Sequence, residues 1–511
     1  MGFQTLQFWI GFGLFFLLYW GVLNPMAVRH GRLGIRLRNI GILAASCLFY
    51  ISWDPKALPI IPTSTAIDFA ATRLMERRPG HKRMWLAVSL VGSLGMLGAF
   101  KYFNFFVGSA QNLVQAMTGW ETEAVRLDWV LPIGISFYTF QTLGYTFDVY
   151  RGNLKSESSF VTFFAFVAFF PQLIAGPIER GVDLMPQFQT PRRFRVLHAR
   201  QATLRILWGL FKKLVIADRL AWFVNAGYGD IEALCTFTAV LVVFAFTIQL
   251  YCDFSGYCDI AIGTAGLLGF QLSENFRRPL LAKNLQDLWQ RWHITIHQWF
   301  RTHIYLQLPR YRTGLGQARN VLIVFAISGL WHGASWTMVA WGIVNAVLMM
   351  LLDRTVLMPL GRSDWLLFRK AGQILGSALV YLSLVFFRAP TWDDALAMYR
   401  TLASFSSPPL WAWLEGSPAG LEASLAGLSF HLHELRVAAF LALLLFAVVS
   451  LAEHRPAIQH RLLHGPGLAR WCTPLDSTFG TLFFGLSSFR PAVNVPDFNP
   501  VPRQKVINTP F

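Results

Sequence analysis

The stretch Leu330 to Trp336 reads LWHGASW, and it lies within an apolar run from Val321 to Leu352. About 20 apolar residues cross the roughly 30 Å hydrocarbon core of a bilayer, so this run is long enough to enter a membrane. A histidine inside such a run costs free energy unless it is paired or has a function. The run therefore predicts a membrane protein, and His332 is a functional candidate.

Composition predicts the same class for the whole chain. Of its 511 residues, 54% are hydrophobic and 14% are charged, and the mean hydropathy is +0.44. Soluble domains have about 25% charged residues. We therefore expect an all-α polytopic membrane protein with about ten or eleven transmembrane helices, plus re-entrant and interfacial helices. The apolar runs that predict these helices are Phe3 to Leu23, Ile40 to Trp53, Met84 to Val107, Trp129 to Tyr150, Phe160 to Ile178, Thr203 to Val224, Leu234 to Leu250, Val321 to Leu352, Gln373 to Phe387 and Val437 to Leu451.

One integral membrane domain is expected over residues 1–490, because the sequence contains no detectable repeat and no separate soluble domain. The tail, residues 491–511, is rich in Pro, Asn and Val and is expected to be extended. The run Phe160 to Ile178 is interrupted by Pro171 and Pro177. These prolines predict a broken or re-entrant segment. The strongly basic stretch from Arg180 to Lys213 indicates that it enters and leaves the membrane on one side.

The formal charge of +17 indicates membrane topology. Basic residues cluster in short loops beside the apolar runs, as the positive-inside rule describes for cytoplasmic loops. The arginines between Arg29 and Arg38 place the first loop in the cytoplasm. The basic residues between Arg354 and Lys370 argue against a simple crossing by the run that contains His332. Membrane lipids, and no nucleic acid, are the partners expected from this distribution.

A second informative stretch, Leu288 to Leu308 (LWQRWHITIHQWFRTHIYLQL), is rich in tryptophan and in basic residues. On one continuous helix it presents an apolar face bordered by a row of polar side chains. This pattern predicts an amphipathic helix at the membrane interface, and an anchoring aromatic belt is the alternative to a functional role. The apolar face contains Leu285, Leu288, Trp289, Trp292, Ile296, Trp299 and Phe300, and the border contains Gln290, His293, His297 and Arg301.

His293 and His297 have the HxxxH spacing of a metal-binding helix. A hydrolytic zinc helix also needs a glutamate beside the first histidine as general base, and Ile294 occupies that position. The five cysteines match neither a zinc motif nor a disulfide framework. We therefore expect no metal site.

The stretch Tyr251 to Gly263 (YCDFSGYCDIAIG) places two carboxylates, Asp253 and Asp259, in an apolar setting. Buried carboxylates need partners, and we expect Arg277 or Arg291 to pair with them. We interpret the two acids as residues that pin helices together, and a direct role in chemistry is the alternative.

Four motifs follow one another in the second half of the chain: YCDFSGYCDIAIG, ENFRRP, LWQRWHITIHQWFR and SGLWHGASW. In this order they resemble the membrane-bound O-acyltransferase family. PQLIAGPIERGVDLMPQF, at Pro171 to Phe188, resembles the bacterial alginate O-acetyltransferase-like branch of that family. The resemblance implies a multi-helix bundle around a tunnel, with an acyl thioester donor on the cytoplasmic side and an acceptor reached from the other side.

The resemblance maps the family's two histidines onto His293 and His332. Acyl transfer from a thioester to a hydroxyl needs a base on the attacking oxygen, and a desolvated neutral imidazole can serve. We assign the base to His332 and an orienting or polarising role to His293. Trp331 and Trp336 are expected to wall the site and exclude water. The other residues expected to bind substrate or shape the site are Asp253, Ser255, Asn275, Arg291 and His297.

These features predict a bacterial inner-membrane O-acyltransferase that moves acetyl from cytoplasmic acetyl-CoA towards hydroxyls of an exported polysaccharide, directly or through a periplasmic partner protein. Acetyl-CoA is the expected donor substrate, and no bound cofactor is expected. Transfer to a lipid or protein acceptor is the alternative within the same chemistry. A transporter or lipid flippase is the alternative from another class, because broken helices and acids at membrane depth are normal there. The acceptor, the acyl chain length and the oligomeric state are left open by the sequence.

Overall fold

The computed structural model describes residues 2–53, 55–120, 125–279, 282, 284–309, 314–351 and 365–404. Within these ranges every regular element is a helix, which confirms the all-α class. The predicted tail, 491–511, and the predicted span Val437 to Leu451 lie outside the described residues. The α-helices are α1 (Leu6–Leu18), α2 (Asn24–Arg29), α3 (Gly31–Ile51), α4 (Ile60–Arg77), α5 (Lys82–Leu97), α6 (Phe103–Thr118), α7 (Ile135–Arg151), α8 (Phe160–Val167), α9 (Gly181–Gln189), α10 (Val196–Leu210), α11 (Asp218–Gly229), α12 (Thr236–Leu267), α13 (Leu285–Arg291), α14 (Ile294–His303), α15 (Leu315–His332), α16 (Trp336–Val347), α17 (Leu366–Arg388) and α18 (Trp392–Ala403).

Five helices in the described part of the chain are long and apolar enough to cross a membrane, which identifies a multi-pass membrane protein. Their number is smaller than the ten or eleven spans expected, because several predicted runs form shorter or interrupted helices. Thr203 to Val224, for example, contains the end of α10, a π-helical turn and the start of α11. The five helices are Leu6–Arg29, Gly31–Ile51, Pro79–Thr118, Thr236–Leu267 and Lys370–Arg388.

The run that contains His332 forms a hairpin of two antiparallel helices rather than one crossing. α15 ends at His332, and α16 begins after Ser335, whose hydroxyl accepts a hydrogen bond from the Met338 N–H at 3.3 Å. Glycine lets the two helices touch backbone to backbone, since a Cβ on Gly342 would lie 2.1 Å from the Phe325 carbonyl oxygen. Because the chain returns towards the side from which it came, basic residues before and after the run can share one side of the membrane.

The predicted re-entrant run is a short helix followed by buried turns. α8 has 8 residues, too few to cross a bilayer, and Phe166 and Phe169 are fully enclosed by protein. The Phe166 carbonyl accepts hydrogen bonds from Gln141 Nε2 at 3.1 Å and from Gln172 Nε2 at 2.8 Å. Protein groups therefore replace the missing helix hydrogen bonds, as irregular backbone at membrane depth requires.

α12 positions the segment that leads to the candidate site. This helix of 32 residues packs closely against α10, since a Cβ on Gly256 would lie 2.9 Å from the Gly209 carbonyl oxygen. After α12 the chain continues as an irregular segment, residues 270–279. This segment lies beside the junction of α13 and α14, where two of the predicted site residues meet.

Candidate active site

The tryptophan-rich segment is two helices, and the single amphipathic helix predicted from its spacing is wrong. α13 ends at Arg291, α14 begins at Ile294, and between them His293 adopts a left-handed conformation with φ 44° and ψ 54°. The irregular segment after α12 holds this break. The Arg277 N–H donates to the Arg291 carbonyl, and the Ile294 N–H donates to the Asn275 carbonyl, both at 2.9 Å. Hydrogen bonds from outside thus replace those that a continuous helix would make.

The Asn275 side chain contacts the His293 ring. Its Oδ1 lies 3.0 Å from His293 Nδ1 and accepts hydrogen bonds from the Thr295 N–H at 3.2 Å and the Thr295 hydroxyl at 2.9 Å. Its Nδ2 donates to Cys258 Sγ at 3.3 Å. All four side chains are buried. Asn275, predicted to shape the site, therefore lies next to one of the two predicted histidines.

Aromatic rings surround the rest of the His293 side chain. The ring centroids of Phe254, Trp331 and Phe137 lie 4.7, 5.9 and 6.4 Å from that of His293. The His332 ring lies 6.4 Å away, centroid to centroid. His293 Nε2 is buried and forms no hydrogen bond with any described residue. The two predicted histidines are thus brought into one site with apolar walls.

His332 is the last residue of α15 and lines a cavity of ≈ 90 Å³. Its ring packs against Trp331, Trp341 and Phe387 at centroid distances of 4.8, 5.3 and 5.4 Å. Most of the cavity wall consists of apolar and aromatic side chains from α12, α13, α16 and α17. A cavity with such walls can hold a small acyl group away from bulk water.

The two predicted tryptophans have different positions. Trp331 is 5% exposed, and its indole lies against both His293 and His332, as expected of a wall residue. Trp336 is 58% exposed, and its indole N–H donates to the Ser109 hydroxyl at 3.0 Å. Among the described contacts none joins Trp336 to either histidine, because the first turn of α16 faces α6. The predicted wall role of Trp336 is therefore not supported by its position.

The two carboxylates of α12 have cationic partners from α10 and from the π-helical turn that follows it. Asp253 pairs with Lys213 at 2.8 Å. Asp259 pairs with Arg205 at 2.9 Å and with Lys212 at 2.5 Å. These pairs join neighbouring helices, which agrees with a structural interpretation of both acids.

The predicted pairing of these acids with Arg277 or Arg291 is wrong, because the acidic face of α12 packs against α10. Arg291 pairs instead with Asp287 at 2.7 Å, one helical turn earlier. The Ser255 hydroxyl accepts a hydrogen bond at 2.8 Å from the buried Lys212, which lies in the π-helical turn after α10. His297 packs against Trp289 of the cavity wall, with ring centroids 5.0 Å apart. None of these predicted residues is among those that line the cavity, although His297 contacts the lining residue Trp289.

Two residues at the site, Lys101 and Tyr102, were not predicted. Both belong to a π-helical turn, residues 98–102. The Lys101 ammonium donates to the Trp331 carbonyl, and the Tyr102 hydroxyl donates to the Leu330 carbonyl at 3.1 Å. They satisfy carbonyls of the last turn of α15, which have no intrahelical partner. A lysine inside a predicted membrane span is the signal that identifies such a residue.

A buried carboxyl group, that of Glu179, was also not predicted. It lies between the buried turns and α9, outside the membrane-spanning helices, and it accepts hydrogen bonds from the Ser273 N–H at 2.5 Å and the Ser273 hydroxyl at 2.9 Å. Burial raises the pKa of Glu179 to about 7, and the hydrogen bonds from Ser273 oppose the rise. Glu179 thereby anchors the irregular segment two residues before Asn275.

Comparison with known proteins covers the residues of this site. The model of the membrane-bound O-acyltransferase family matches residues 153–388, which include Asn275, His293 and His332. The chain is 32% identical to the peptidoglycan O-acetyltransferase of Helicobacter pylori over 431 residues, 78% of each protein. It is 36% identical to the probable alginate O-acetylase AlgI of Azotobacter vinelandii over 72% of this chain and 73% of that protein. The teichoic acid D-alanyltransferase of Bacillus subtilis is 26% identical over 42% of this chain and 58% of its own length.

Proposed function

This chain belongs to the membrane-bound O-acyltransferase family, and from that premise we propose that it moves an acetyl group from a cytoplasmic acetyl-CoA thioester towards hydroxyls of an exported polysaccharide. The observation that carries the proposal is the proximity of His293 and His332. Their ring centroids lie 6.4 Å apart in a site with aromatic walls.

The chemistry needs two functions that a pair of neutral imidazoles supplies. A hydroxyl attacks a thioester efficiently only when a base accepts its proton. The charge that develops on the carbonyl oxygen needs a hydrogen-bond donor. A neutral imidazole has one lone pair and one N–H, so two of them provide both functions. The sequence assigns the base to His332 and the assisting role to His293. If the two roles were exchanged, the reaction would still require both side chains.

Water must be kept away from the thioester, because hydrolysis competes with transfer. Trp331, Trp341 and Phe387 pack around the His332 ring, and the cavity wall is mainly apolar. A closed apolar site also strengthens each electrostatic interaction within it. These walls support acyl transfer to a selected hydroxyl in preference to water.

The acceptor class rests on the relatives, whose names specify O-acetylation of peptidoglycan and of alginate. We place the protein in a bacterial inner membrane, with the donor on the cytoplasmic side and the acceptor on the periplasmic side. The acetyl group reaches the polysaccharide directly or through a periplasmic partner protein. Acetyl-CoA is a donor substrate in this scheme, and no bound cofactor takes part.

Purified protein in lipid nanodiscs, supplied with acetyl-CoA labelled in the acetyl group, tests the proposal. Wild type should transfer label to oligosaccharide hydroxyls, and His332→Ala or His293→Ala should lower the rate by about 10²–10⁴-fold, the usual contribution of a general base. His30→Ala, at an exposed histidine, is the matched control. Full activity in both site variants would remove the two histidines from the mechanism.

The same experiment separates the alternatives. Label that appears in lipid or in protein identifies that acceptor in place of the polysaccharide. Substrate flux across vesicles without acyl transfer, undiminished in His332→Ala, would overturn the proposal in favour of a transporter.

A further inference from the structure

We propose that the segment between α9 and α10, residues 190–195 (TPRRFR), binds the phosphate headgroup of an anionic phospholipid at the membrane surface. This segment, here called the arginine strap, contains three arginines and one phenylalanine. Among the described contacts none joins it to either histidine of the candidate site, so the proposal goes beyond acyl transfer. The charge of the strap, its fixed backbone and the exposed apolar side chains beside it each favour a lipid ligand.

The arginine strap and the helices α2, α3 and α10 carry positive charge only. Residues 184–213 include neither aspartate nor glutamate, and the same is true of residues 1–53. The second range contains the loop from Arg29 to Arg38, which the positive-inside rule places in the cytoplasm. A surface of one charge sign attracts ligands of the opposite sign, and anionic lipids supply negative charge at the cytoplasmic leaflet.

Neighbouring helices hold the backbone of the arginine strap, which is extended at both of its ends. Asn24 Nδ2 donates to the Arg192 carbonyl at 2.8 Å, and the Arg192 N–H donates to Asn24 Oδ1 at 3.0 Å. The buried Arg38 of α3 donates to the Thr190 carbonyl at 2.6 Å. A backbone that is fixed before binding loses little conformational entropy when a ligand arrives. The strap is therefore a preorganised element.

Two arginines at the strap have neutral partners only. Arg192 donates to Gln187 Oε1 at 3.2 Å and to the Thr190 hydroxyl at 3.4 Å, and its guanidinium lies 5.6 Å from the centroid of the Phe270 ring. Arg38 lies 5.8 Å from the same centroid. Within the described residues no carboxylate pairs with either guanidinium. Two cations at one ring repel each other, and an anion beside the partly exposed Arg192 would offset that repulsion.

The exposed side of the strap combines basic and apolar side chains. Arg193 and Arg195 are exposed, and no described carboxylate pairs with them. Phe194, between them, is 40% exposed, and its ring centroid lies 6.2 Å from that of Phe16 and 5.2 Å from that of Trp20. Both of these rings belong to the first of the membrane-spanning helices. The strap thus lies where guanidinium groups can reach lipid phosphates while Phe194 contacts acyl chains.

This combination favours a lipid over a soluble phosphate compound. A free phosphate would contact the arginines alone and would leave Phe194, Val196 and Leu197 exposed at 40, 51 and 44%. An anionic phospholipid joins a phosphate diester to acyl chains, so one molecule contacts both kinds of side chain. Guanidinium suits the phosphate because it presents paired N–H groups to two oxygens. A zwitterionic lipid has the same phosphate but adds a cation, which the arginines repel.

Binding of fluorescent phosphatidylglycerol to the full-length protein in detergent micelles tests the proposal. An arginine at a membrane surface strengthens binding of anionic lipid about fivefold, so Arg192→Gln, Arg193→Gln and Arg195→Gln together should raise the Kd about 10²-fold. Phosphatidylcholine with the same acyl chains should bind wild type about tenfold more weakly or worse. Arg193→Gln with Arg195→Gln alters exposed side chains only and should raise the Kd about 25-fold, which keeps the test decisive if the triple variant does not fold.

Arg77→Gln, Arg78→Gln and Arg83→Gln together are the matched control. They remove the same charge from exposed arginines near the junction of α4 and α5. The Kd of this variant should stay within about twofold of wild type, since salt screens charges that are more than a Debye length from the ligand. Equal weakening in the two triple variants would show that net charge alone attracts the lipid, and the proposal would be wrong. Equal affinity of wild type for the two lipids would also overturn it.

Phe194→Ser and glycerol phosphate separate a lipid from a soluble ligand. Loss of the phenyl ring should raise the Kd for phosphatidylglycerol about three- to tenfold, because less apolar surface is buried against the acyl chains. Glycerol phosphate at the concentration of the lipid should not displace it. Displacement at that concentration, or an unchanged Kd in Phe194→Ser, would exclude the lipid in favour of a soluble phosphate compound.

Discussion

Replacement of Lys101 by methionine should slow acyl transfer without unfolding the protein. The Lys101 ammonium donates to the Trp331 carbonyl, and the Tyr102 hydroxyl donates to the Leu330 carbonyl at 3.1 Å. Both carbonyls belong to the last turn of α15, and the residue that follows them is His332. The two side chains therefore fix the end of the helix that carries the imidazole.

The expected magnitude follows from the interactions that methionine removes. Lys101 makes two hydrogen bonds, to the Trp331 carbonyl and to the Ser136 hydroxyl at 3.1 Å, and only the first holds the helix end. A hydrogen bond from a charged donor contributes about 1.5–3 kcal/mol, and a cation at a helix C-terminus adds about 0.3–1 kcal/mol. The free energy of unfolding changes by less than this sum, because methionine also avoids the cost of burying a charge. A local loss of about 1.4–3 kcal/mol places His332 correctly in roughly 10- to 100-fold fewer molecules, and the rate should fall by the same factor.

Single-turnover transfer from labelled acetyl-CoA in nanodiscs measures this factor. Tyr102→Phe removes one neutral hydrogen bond, worth about 0.5–1.5 kcal/mol, and should cost at most about tenfold. Lys101→Arg keeps the charge and should retain most of the rate. Thermal unfolding followed by size-exclusion chromatography shows whether each variant remains folded. A wild-type rate in Lys101→Met would refute the reasoning, since the helix end would then be held without the lysine.

Three further variants test the packing and electrostatics that support the site. Gly342→Ala should separate α15 from α16, because the added Cβ would lie 2.1 Å from the Phe325 carbonyl oxygen. Size-exclusion chromatography tests this prediction, and a monodisperse peak identical to that of wild type would contradict the close contact. Lys212→Met should lower the thermal stability by less than the roughly 3–5 kcal/mol that an uncompensated buried charge costs, because Arg205 still pairs with Asp259 at 2.9 Å. Asp259→Asn in the same chain should restore part of the loss. Burial raises the pKa of Glu179 from 4.5 to about 7, so its contribution to stability is present below about pH 4.5 and is lost as the pH rises through about 7. Unfolding temperatures at pH 5 and pH 8 should differ less in Glu179→Gln than in wild type, and an equal difference would exclude this carboxyl as the cause.

The class of the fold follows from composition, but the path of the chain does not. The run Val321 to Leu352 has the length of one crossing or more, and hydropathy alone treats it as one apolar segment. Its division into a hairpin depends on the contact between Gly342 and Phe325, which joins residues that are distant in the sequence. Helix pairs of this kind are specified by backbone contact, and a hydropathy window does not contain that information.

The break at His293 was missed for a similar reason. Helical periodicity across Leu285 to Phe300 is good, and a pattern of that kind predicts one helix. The break depends on Asn275, 18 residues before His293, which accepts the hydrogen bonds that the helix gives up. Residue type, by contrast, identified His332, because a polar side chain in an apolar setting is informative without knowledge of its partners. His293 was assigned through the family resemblance, and Asn275 lies in one of the motifs that carry it.

Both histidines lie where a helix stops inside the protein, and this placement explains why each has a partner group from another part of the chain nearby. His293 precedes the first residue of α14, and His332 is the last residue of α15. A helix end leaves backbone groups that need partners, so Asn275 accepts from N–H groups at the first end and Lys101 donates to a carbonyl at the second. The partner at each end also lies beside the neighbouring imidazole or the residue before it. Asn275 Oδ1 lies 3.0 Å from His293 Nδ1, and Lys101 donates to the carbonyl of Trp331, the residue before His332. A continuous helix at either place would satisfy its own backbone and would bring neither partner to the site, so the interruptions that periodicity does not predict are the features that position both imidazoles.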